Sequence, residues 1–197
     1  MINKTIIDCN DKNCIYSLRD LLSNEISSVI KTNKTIIILC IGTDRSTGDS
    51  LGPLIGEKLG FLTRSKIVLY GNLKNPVHAK NLCDIAKEIE CTYKKNYIIA
   101  IDASLGSIQN VGKIIVESKP ILPGAAMKKN LPPIGDLSIT GIVNVSGALE
   151  FMVLQNTRLF TVMQLADIIS KGIYHSIIKT FGGKNLDSRH YEKQGLI

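Results

Sequence analysis

The sequence predicts an α/β fold, a three-layer α/β/α sandwich around a mostly parallel sheet. Residues 35–41 and 97–101 are continuous apolar runs, and the segments between them carry apolar residues at helical spacing. Continuous hydrophobicity is typical of strands that are covered on both faces, as in parallel sheets. Strands that alternate with helices form layered α/β domains. The 197 residues suffice for one core, so we expect a single domain over 1–197.

The elements follow from apolar spacing and from the residues that begin and end helices. Pro53 suits the first turn of a helix, and Gly60 suits its end. In the first half of the chain we predict an irregular lead-in over 1–14, a helix to Lys31, a strand over 35–41, a helix from Asp49 or Ser50 to Gly60, and a strand over 67–70.

The second half is expected to continue the alternation and then to end in helices. Residues 117–137 hold four of the six prolines, which predicts a long loop, and long loops in compact domains are usually functional or mobile. We predict a helix around 82–89, strands over 97–101, 111–116 and 137–140, helices over about 146–156 and 161–179, and a polar tail over 182–197.

The chain has a formal charge of +7, but its basic residues are scattered and form no run longer than a pair. Dispersed charge favours a solvated surface over a specific anionic partner. Trp is absent and other aromatic residues are scarce, which disfavours a surface that stacks nucleic-acid bases. A nucleic-acid-associated protein is therefore the weakest of the functions that we consider.

Five cysteines without a CxxC pair argue against a disulfide framework and against the common zinc spacings. Cys40 lies inside an apolar run, so we expect it to be a small buried core residue. This cysteine usage suits a reducing compartment. The sequence contains neither a signal-peptide core nor the roughly 20 consecutive apolar residues that span a bilayer. We expect a cytoplasmic protein with no membrane partner.

Two aspartates follow buried strands at the places where those strands are expected to stop. Asp102 comes directly after the run 97–101, and Asp49 lies on the glycine-containing loop after the run 35–41. Ligands of open α/β sheets bind outside the carboxyl ends of the strands. Two carboxyl groups held close together share a proton, so one can activate water while the other protonates a leaving group. Asp49 and Asp102 are therefore the predicted catalytic residues.

Other interpretations of the same residues stay open. The two carboxylates could hold a divalent metal, or Asp49 could be a helix cap and Asp102 a turn residue. The loop lacks the P-loop and dinucleotide fingerprints, and its aspartate would repel phosphate. No GxSxG motif is present for a serine nucleophile. His78 follows Pro76 and Val77 near a strand end and is a candidate to reach the site.

Several motifs together resemble a known group of proteins. The loop Gly42–Pro53 and the segment Ile99–Ala103 look like those of the germination protease of spore-forming bacteria, and more closely like those of the YyaC sporulation protein family. The loop is more distantly similar to that of hydrogenase-maturation endopeptidases. The resemblance spans roughly residues 35–180 and includes Asn75–Ala79, Leu122–Ala125, Leu131–Asp136, Ile139–Asn144 and Leu154–Arg158.

The resemblance implies a phosphorylase/hydrolase-like fold and a cytoplasmic, sporulation-associated, peptidase-like hydrolase of a spore-forming bacterium. Asp49 and Asp102 would be its acid pair, acting on a protein or peptide substrate. No cofactor is expected, although a divalent metal on these acids is possible, since the matching acids of the hydrogenase-maturation enzymes help to bind nickel. The alternative is a non-catalytic protein that binds a peptide or partner in the same cleft. The candidate substrate-binding residues are Thr43, His78, Thr140 and Asn144, with Gly48, Gly52 and Pro53 shaping the loop.

Overall fold

The computed structural model describes residues 2–62, 64–123 and 132–182. Its six strands in chain order are β1 (Thr5–Asp8), β2 (Thr35–Cys40), β3 (Ile67–Tyr70), β4 (Asn96–Gly106), β5 (Lys113–Glu117) and β6 (Leu137–Val145). These strands form one sheet in the order β1-β5-β6-β4-β2-β3. The pairs β2–β3, β2–β4 and β4–β6 are parallel, whereas β5 runs antiparallel to both β1 and β6. The prediction of a mostly parallel sheet is confirmed.

Helices cover both faces of this sheet, as the predicted three-layer architecture requires. Helices α1, α2 and α5 pack in one apolar cluster against one face, and α3 packs in a second cluster against the other. A short helix, α4, lies at the carboxyl end of the sheet. The helices are α1 (Cys14–Ile30), α2 (Leu51–Leu59), α3 (Leu82–Thr92), α4 (Glu150–Gln155) and α5 (Leu159–Phe181).

Strand β2 explains why the predicted apolar runs are continuous. Successive side chains of a strand point to opposite faces. Ile36, Ile38 and Cys40 therefore join the cluster under α1, α2 and α5, while Ile37 and Leu39 join the cluster under α3. All five are at most 1% exposed, and burial of an aliphatic side chain of this size stabilises a fold by about 1.5–3 kcal/mol. Cys40 is the buried core residue that the sequence predicts.

The predicted irregular lead-in over 1–14 is wrong for residues 5–8. These residues form the edge strand β1, whose Thr5 pairs with Val116. The strand is only four residues long, and Ile7 is its one buried residue, so the segment carries no apolar run. The predicted tail over 182–197 lies outside the described residues from 183 onward, as does the part of the predicted loop at 124–131.

The predicted boundaries near the carboxyl end of the sheet also need correction. Strand β6 extends to Val145 instead of stopping at 140, and the helix expected from 146 begins at Glu150. Gly141 lies inside β6, and Leu51 packs against it so closely that a Cβ would overlap the leucine. Strand β4 likewise continues to Gly106 and does not end at 101.

Helix α2 begins in direct contact with the end of β2. A Cβ on Gly52 would overlap the backbone carbonyl oxygen of Ile41, the residue that follows β2. Gly42 adopts a φ of +145°, which L-residues with a side chain rarely adopt. Within the described residues, no helix combines the length and the hydropathy that a bilayer crossing requires.

We expect Gly52→Ala to lower the free energy of unfolding by about 3 kcal/mol, because the added methyl group meets a backbone carbonyl that cannot rotate away. Gly147→Ala is the matched control, since a Cβ at Gly147 meets nothing within 4 Å. Urea titration followed by far-UV circular dichroism measures both variants, as the chain has no tryptophan. Equal stability of the two variants would contradict the contact between α2 and β2.

Candidate functional site

A cleft of about 1010 Å³ opens at the carboxyl ends of β2 and β4, and both predicted aspartates line it. Asp102 belongs to β4 and directly follows Ile101, whose partner Cys40 is the last residue of β2. Asp49 lies in a single 3₁₀ turn, Gly48–Ser50, that leads into α2. Residues that are far apart in the sequence thus meet at the sheet edge where ligands of α/β proteins bind.

The Asp102 carboxyl group is held largely away from solvent. Desolvation raises the pKa of Asp102 to about 8, and the negative charge of Asp49 adds to this increase. The backbone N–H of Ala103 donates a hydrogen bond of 2.8 Å to Asp102 Oδ1, which lowers the pKa but does not offset the burial. At neutral pH the Asp102 carboxyl is therefore mostly protonated.

Asp49 is also partly buried, but less completely than Asp102. Burial raises its pKa above the ordinary value, and the nearby Ser46 hydroxyl lowers it again. Ser46 Oγ is itself buried and falls short of a well-formed hydrogen bond within the described residues. The two aspartates thus form an electrostatically coupled pair whose environments differ, and this difference is what allows one acid to hold a proton while the other is ionised.

Three of the predicted substrate-binding residues also line the cleft: Thr43, His78 and Thr140. Thr140 is the direct partner of Asp102 across the β4–β6 ladder. The Thr43 N–H donates a hydrogen bond of 3.0 Å to the Asp49 backbone carbonyl, which ties the loop back on itself. His78 Nδ1 is buried and has no hydrogen-bond partner among the described residues.

Asn144, which was predicted to line the cleft, lies outside it. Its side-chain amide donates to Thr157 Oγ1 at 3.2 Å, and its Oδ1 accepts from the Val145 N–H at 2.8 Å. Asn144 therefore ties the end of β6 to the segment after α4. The β4–β6 ladder shifts register just before the Leu105–Asn144 pair, so the alternation that starts at Thr140 does not continue undisturbed to Asn144.

The loop-shaping residues Gly48, Gly52 and Pro53 stand behind the cleft and do not line it. A Cβ on Gly48 would lie 2.7 Å from Leu154 Cδ2, so α4 packs directly on the turn that carries Asp49. Gly52 contacts Ile41 as described above, and Pro53 Cδ lies against Gly42. These contacts determine where the Asp49 carboxyl group is placed.

Sequence reasoning missed the cleft residues that come after Asp102. Ala103, Ser104 and Leu105 line the cleft because β4 continues beyond its buried part, while the prediction ended this strand at 101. The same reasoning predicted a helix over about 146–156 but did not place it at the cleft, where Phe151 of α4 is part of the lining and is 47% exposed. The signal for the missed strand was weak, since Asp102 interrupts the apolar run and Ala103 to Leu105 are only partly buried.

The metal alternative has few ligands to draw on. Among the described residues, no group of three or more His, Cys, Asp and Glu side chains is arranged to hold a metal ion. Resident divalent ions in proteins usually have three or more protein ligands, or keep several waters when they have fewer. Two carboxyl groups are fewer ligands than a tightly held metal usually has, so we derive no chemical step through one.

The fold and the cleft define an α/β protein with a buried pair of carboxyl groups at the carboxyl edge of its sheet. Residues 6–172 match the DUF1256 family, whose description is "Protein of unknown function", and the chain belongs to this family. The chain is 43% identical over 170 residues to "Uncharacterized protein YyaC" of Bacillus subtilis (strain 168). The alignment covers 86% of this chain and 82% of that protein. The predicted resemblance to YyaC is confirmed.

A solved structure is also similar to this chain. The [NiFe] hydrogenase maturation protease HycI from Thermococcus kodakarensis KOD1 is 18% identical, and the match covers 74% of this chain and 98% of that one, with a TM-score of 0.35. Similarity at this level does not bear on the chemistry of the cleft. The sporulation role and the relation to the germination protease stay predictions.

The raised pKa of Asp102 makes the stability of the protein depend on pH. Its folded-state pKa of about 8 exceeds the ordinary value of 3.8, so its stabilising contribution is complete below about pH 4 and is lost as the pH rises through 8. Asp102→Asn removes this loss. We expect the free energy of unfolding of the wild type to fall by roughly 2–4 kcal/mol more than that of the variant between pH 5 and 8.5.

Urea titrations at the two pH values measure this difference, with EDTA present in every sample. The matched control is Asp84→Asn, an exposed carboxylate at the start of α3, which should follow the wild type. Parallel pH dependence of the wild type and Asp102→Asn would show that Asp102 titrates normally.

Proposed function

We propose that this protein is a peptidase-like hydrolase that cleaves a peptide bond with the Asp49–Asp102 pair. The observation that supports the proposal is a carboxyl group whose pKa is raised to about 8, coupled to a second carboxyl group in a cleft of about 1010 Å³. Paired acids whose environments push their pKa values apart are typical of acid–base catalysis. A cleft of this volume has room for several residues of a peptide.

In the proposed reaction, Asp102 holds the proton at neutral pH and Asp49 is the carboxylate. Asp49 takes one proton from a water molecule, and the water oxygen bonds to the carbonyl carbon of the substrate. Asp102 then gives its proton to the amide nitrogen as the C–N bond breaks. The products are a carboxylic acid and an amine, and transfer of the proton from Asp49 to Asp102 restores the starting state.

The surrounding groups have supporting roles in this proposal. The hydroxyl groups of Thr43 and Thr140 hydrogen-bond the substrate beside the two acids, and His78 forms part of the cleft wall. Gly48, Gly52 and Pro53 act from behind by positioning Asp49. Asn144 acts through α4, which it anchors, and does not touch the substrate.

The cellular setting is a proposal that rests on the resemblance. We place the activity in the cytoplasm of a spore-forming bacterium, during sporulation, with a protein or peptide as the substrate. Deletion of the gene in such a bacterium, followed by counts of heat-resistant spores, tests this setting separately from the chemistry.

We expect Asp49→Asn and Asp102→Asn each to lower peptide cleavage by at least about 10³-fold, because each removes one of the two proton-transfer groups. The substrate mixture is an amine-blocked tryptic digest of a bacterial extract, in which cleavage appears as new amino termini by mass spectrometry. Asp84→Asn on α3 is the matched control, and circular dichroism verifies the fold of each variant.

Two results would contradict the proposal. Absence of cleavage by the wild-type protein, both in EDTA and with added Zn²⁺ or Ni²⁺, would leave the non-catalytic binding protein as the better interpretation. Cleavage that persists in both asparagine variants would assign the activity to other residues or to a contaminant.

The pH dependence of kcat/KM reports the state of the acid pair. We expect it to fall above pH about 8, with a slope of one proton, because Asp102 then loses the proton that it donates to the leaving nitrogen. Measurement between pH 5 and 10 with a cleaved peptide tests this. A rate that stays constant to pH 10 would exclude Asp102 as the proton donor.

A further inference from the structure

Strand β4 extends beyond its neighbour β2 at the carboxyl end of the sheet, where the cleft lies. The β2–β4 ladder ends at the pair Cys40–Ile101. Strand β4 continues for five residues, Asp102 to Gly106, and over this stretch its ladder partner is β6 alone. One edge of β4 is therefore without a strand partner among the described residues, directly beside the two acids.

The hydrogen bonds around β4 identify which backbone groups lie on this edge. Ile41 N–H donates to the Ile101 carbonyl from the β2 side at 2.8 Å, and Ser146 N–H donates to the Gly106 carbonyl from the β6 side at 2.8 Å. Backbone polar groups alternate in direction along a strand. Those of Ala103 and Leu105 therefore face the side that β2 has left. The Ala103 N–H is taken by Asp102 Oδ1. The Leu105 carbonyl accepts a hydrogen bond of 3.1 Å from Ser104 Oγ but has a second lone pair. The edge thus offers the Leu105 N–H and the carbonyls of Ala103 and Leu105, two residues apart, to a ligand.

Among the described residues no strand pairs with this edge, and it lines the cleft beside the 3₁₀ turn that carries Asp49. Ala103, Ser104 and Leu105 line the cleft together with Asp49 and Asp102, and all three are partly exposed. Proteins usually block exposed strand edges because such edges pair with other chains. An open edge within a cleft that holds two acids is the arrangement that binds an extended peptide by strand addition.

The side walls indicate the chemistry of such a peptide. Leu73, Leu122 and Phe151 line the cleft and are 37%, 67% and 47% exposed, so they offer apolar contacts to peptide side chains. Lys74 and Lys80 also line the cleft, are exposed, and make no salt bridge within the described part of the chain. A carboxylate of the peptide would complement these two charges, in a lining that also contains three acidic side chains besides the two aspartates.

We propose that the substrate binds as an added strand along Ala103–Leu105, as an extended segment that carries apolar residues and an acidic one. The proposal rests on the proposed peptidase function for the identity of the occupant. An added strand uses every second backbone N–H and C=O of the peptide, so the bound segment must be a tail or an unfolded linker and not part of a folded domain. The scissile bond then lies beside Asp102, the residue that precedes the edge.

A phage-displayed library of random 12-residue peptides is selected on immobilised Asp49→Asn protein, which binds without cleaving. Enriched peptides are synthesised, and their Kd is measured for this protein and for variants that also carry Leu105→Pro or Leu105→Val. Proline removes the N–H on the open edge, while the ladder bonds to β6 use the neighbouring residues. We expect Leu105→Pro to weaken peptide binding at least tenfold. The conservative variant Leu105→Val keeps the N–H and should bind like the protein with leucine.

The peptide side of the contact is tested without any change to the protein. Single N-methylation along the strongest peptide should weaken binding at alternate positions, with a period of two. Peptides enriched on the original protein should carry a carboxylate. Selection on a protein that also carries Lys74→Glu and Lys80→Glu should no longer enrich this carboxylate. If Leu105→Pro fails to fold, the N-methylation pattern alone tests whether the peptide binds as an added strand.

The outcomes separate this proposal from the proposed function. Peptides that bind with period two but are not cleaved by the wild type would uphold strand addition and overturn the peptidase. Failure to enrich any peptide, loss of binding without periodicity, or binding of a labelled single-stranded DNA 12-mer in place of peptides would overturn strand addition. Cleavage with no periodicity would retain the peptidase and reject this mode of binding.

Discussion

The close contact between the start of α2 and the end of β2 is the constraint on which the site depends. The chain leaves β2 after Cys40 and must return to Ile41 after only the ten residues 42–51, because Gly52 packs on the Ile41 carbonyl. Gly42, at a φ of +145°, touches the backbone of Asp49 and the ring of Pro53. The Thr43 N–H closes the loop on the Asp49 carbonyl at 3.0 Å. This narrow return directs Asp49 toward β4, and a side chain at either glycine would widen it.

The acid pair lowers the stability of the fold locally, and the rest of the fold compensates for this loss. Desolvation disfavours ionisation of both aspartates, and each charge opposes the other. The aliphatic core on the two faces of the sheet stabilises the protein enough to hold them, with β2 buried on both sides. Functional sites commonly keep such unfavourable groups because the chemistry needs them. A carboxyl group with a raised pKa is the property that the proposed catalytic role of Asp102 would use.

How much of the molecule the sequence predicts depends on how strongly each segment is buried. The core strands β2 and β4 were predicted because burial on both faces makes their apolar runs continuous, and the two aspartates were predicted because they follow these runs. Strand β1 was missed because an edge strand buries only Ile7. Asn144 was misplaced because a bulge changes the alternation of β6, and a bulge depends on the partner strand, which a single sequence does not reveal. The environment of Asp102 likewise comes from tertiary packing.

Unequal strand lengths connect the fold to the proposed chemistry. If β2 were as long as β4, it would cover Ala103 to Leu105 and leave no room for the loop that carries Asp49. Because β2 stops at Cys40 and diverts to bridge Ile41 with Val77, the loop enters the space beside β4 and His78 reaches the wall of the cleft. The same divergence that brings the acids together thus exposes the backbone edge beside them. The proposed acid pair and the proposed substrate edge arise from one feature of the sheet, which is why we expect the substrate to approach the acids as an extended chain.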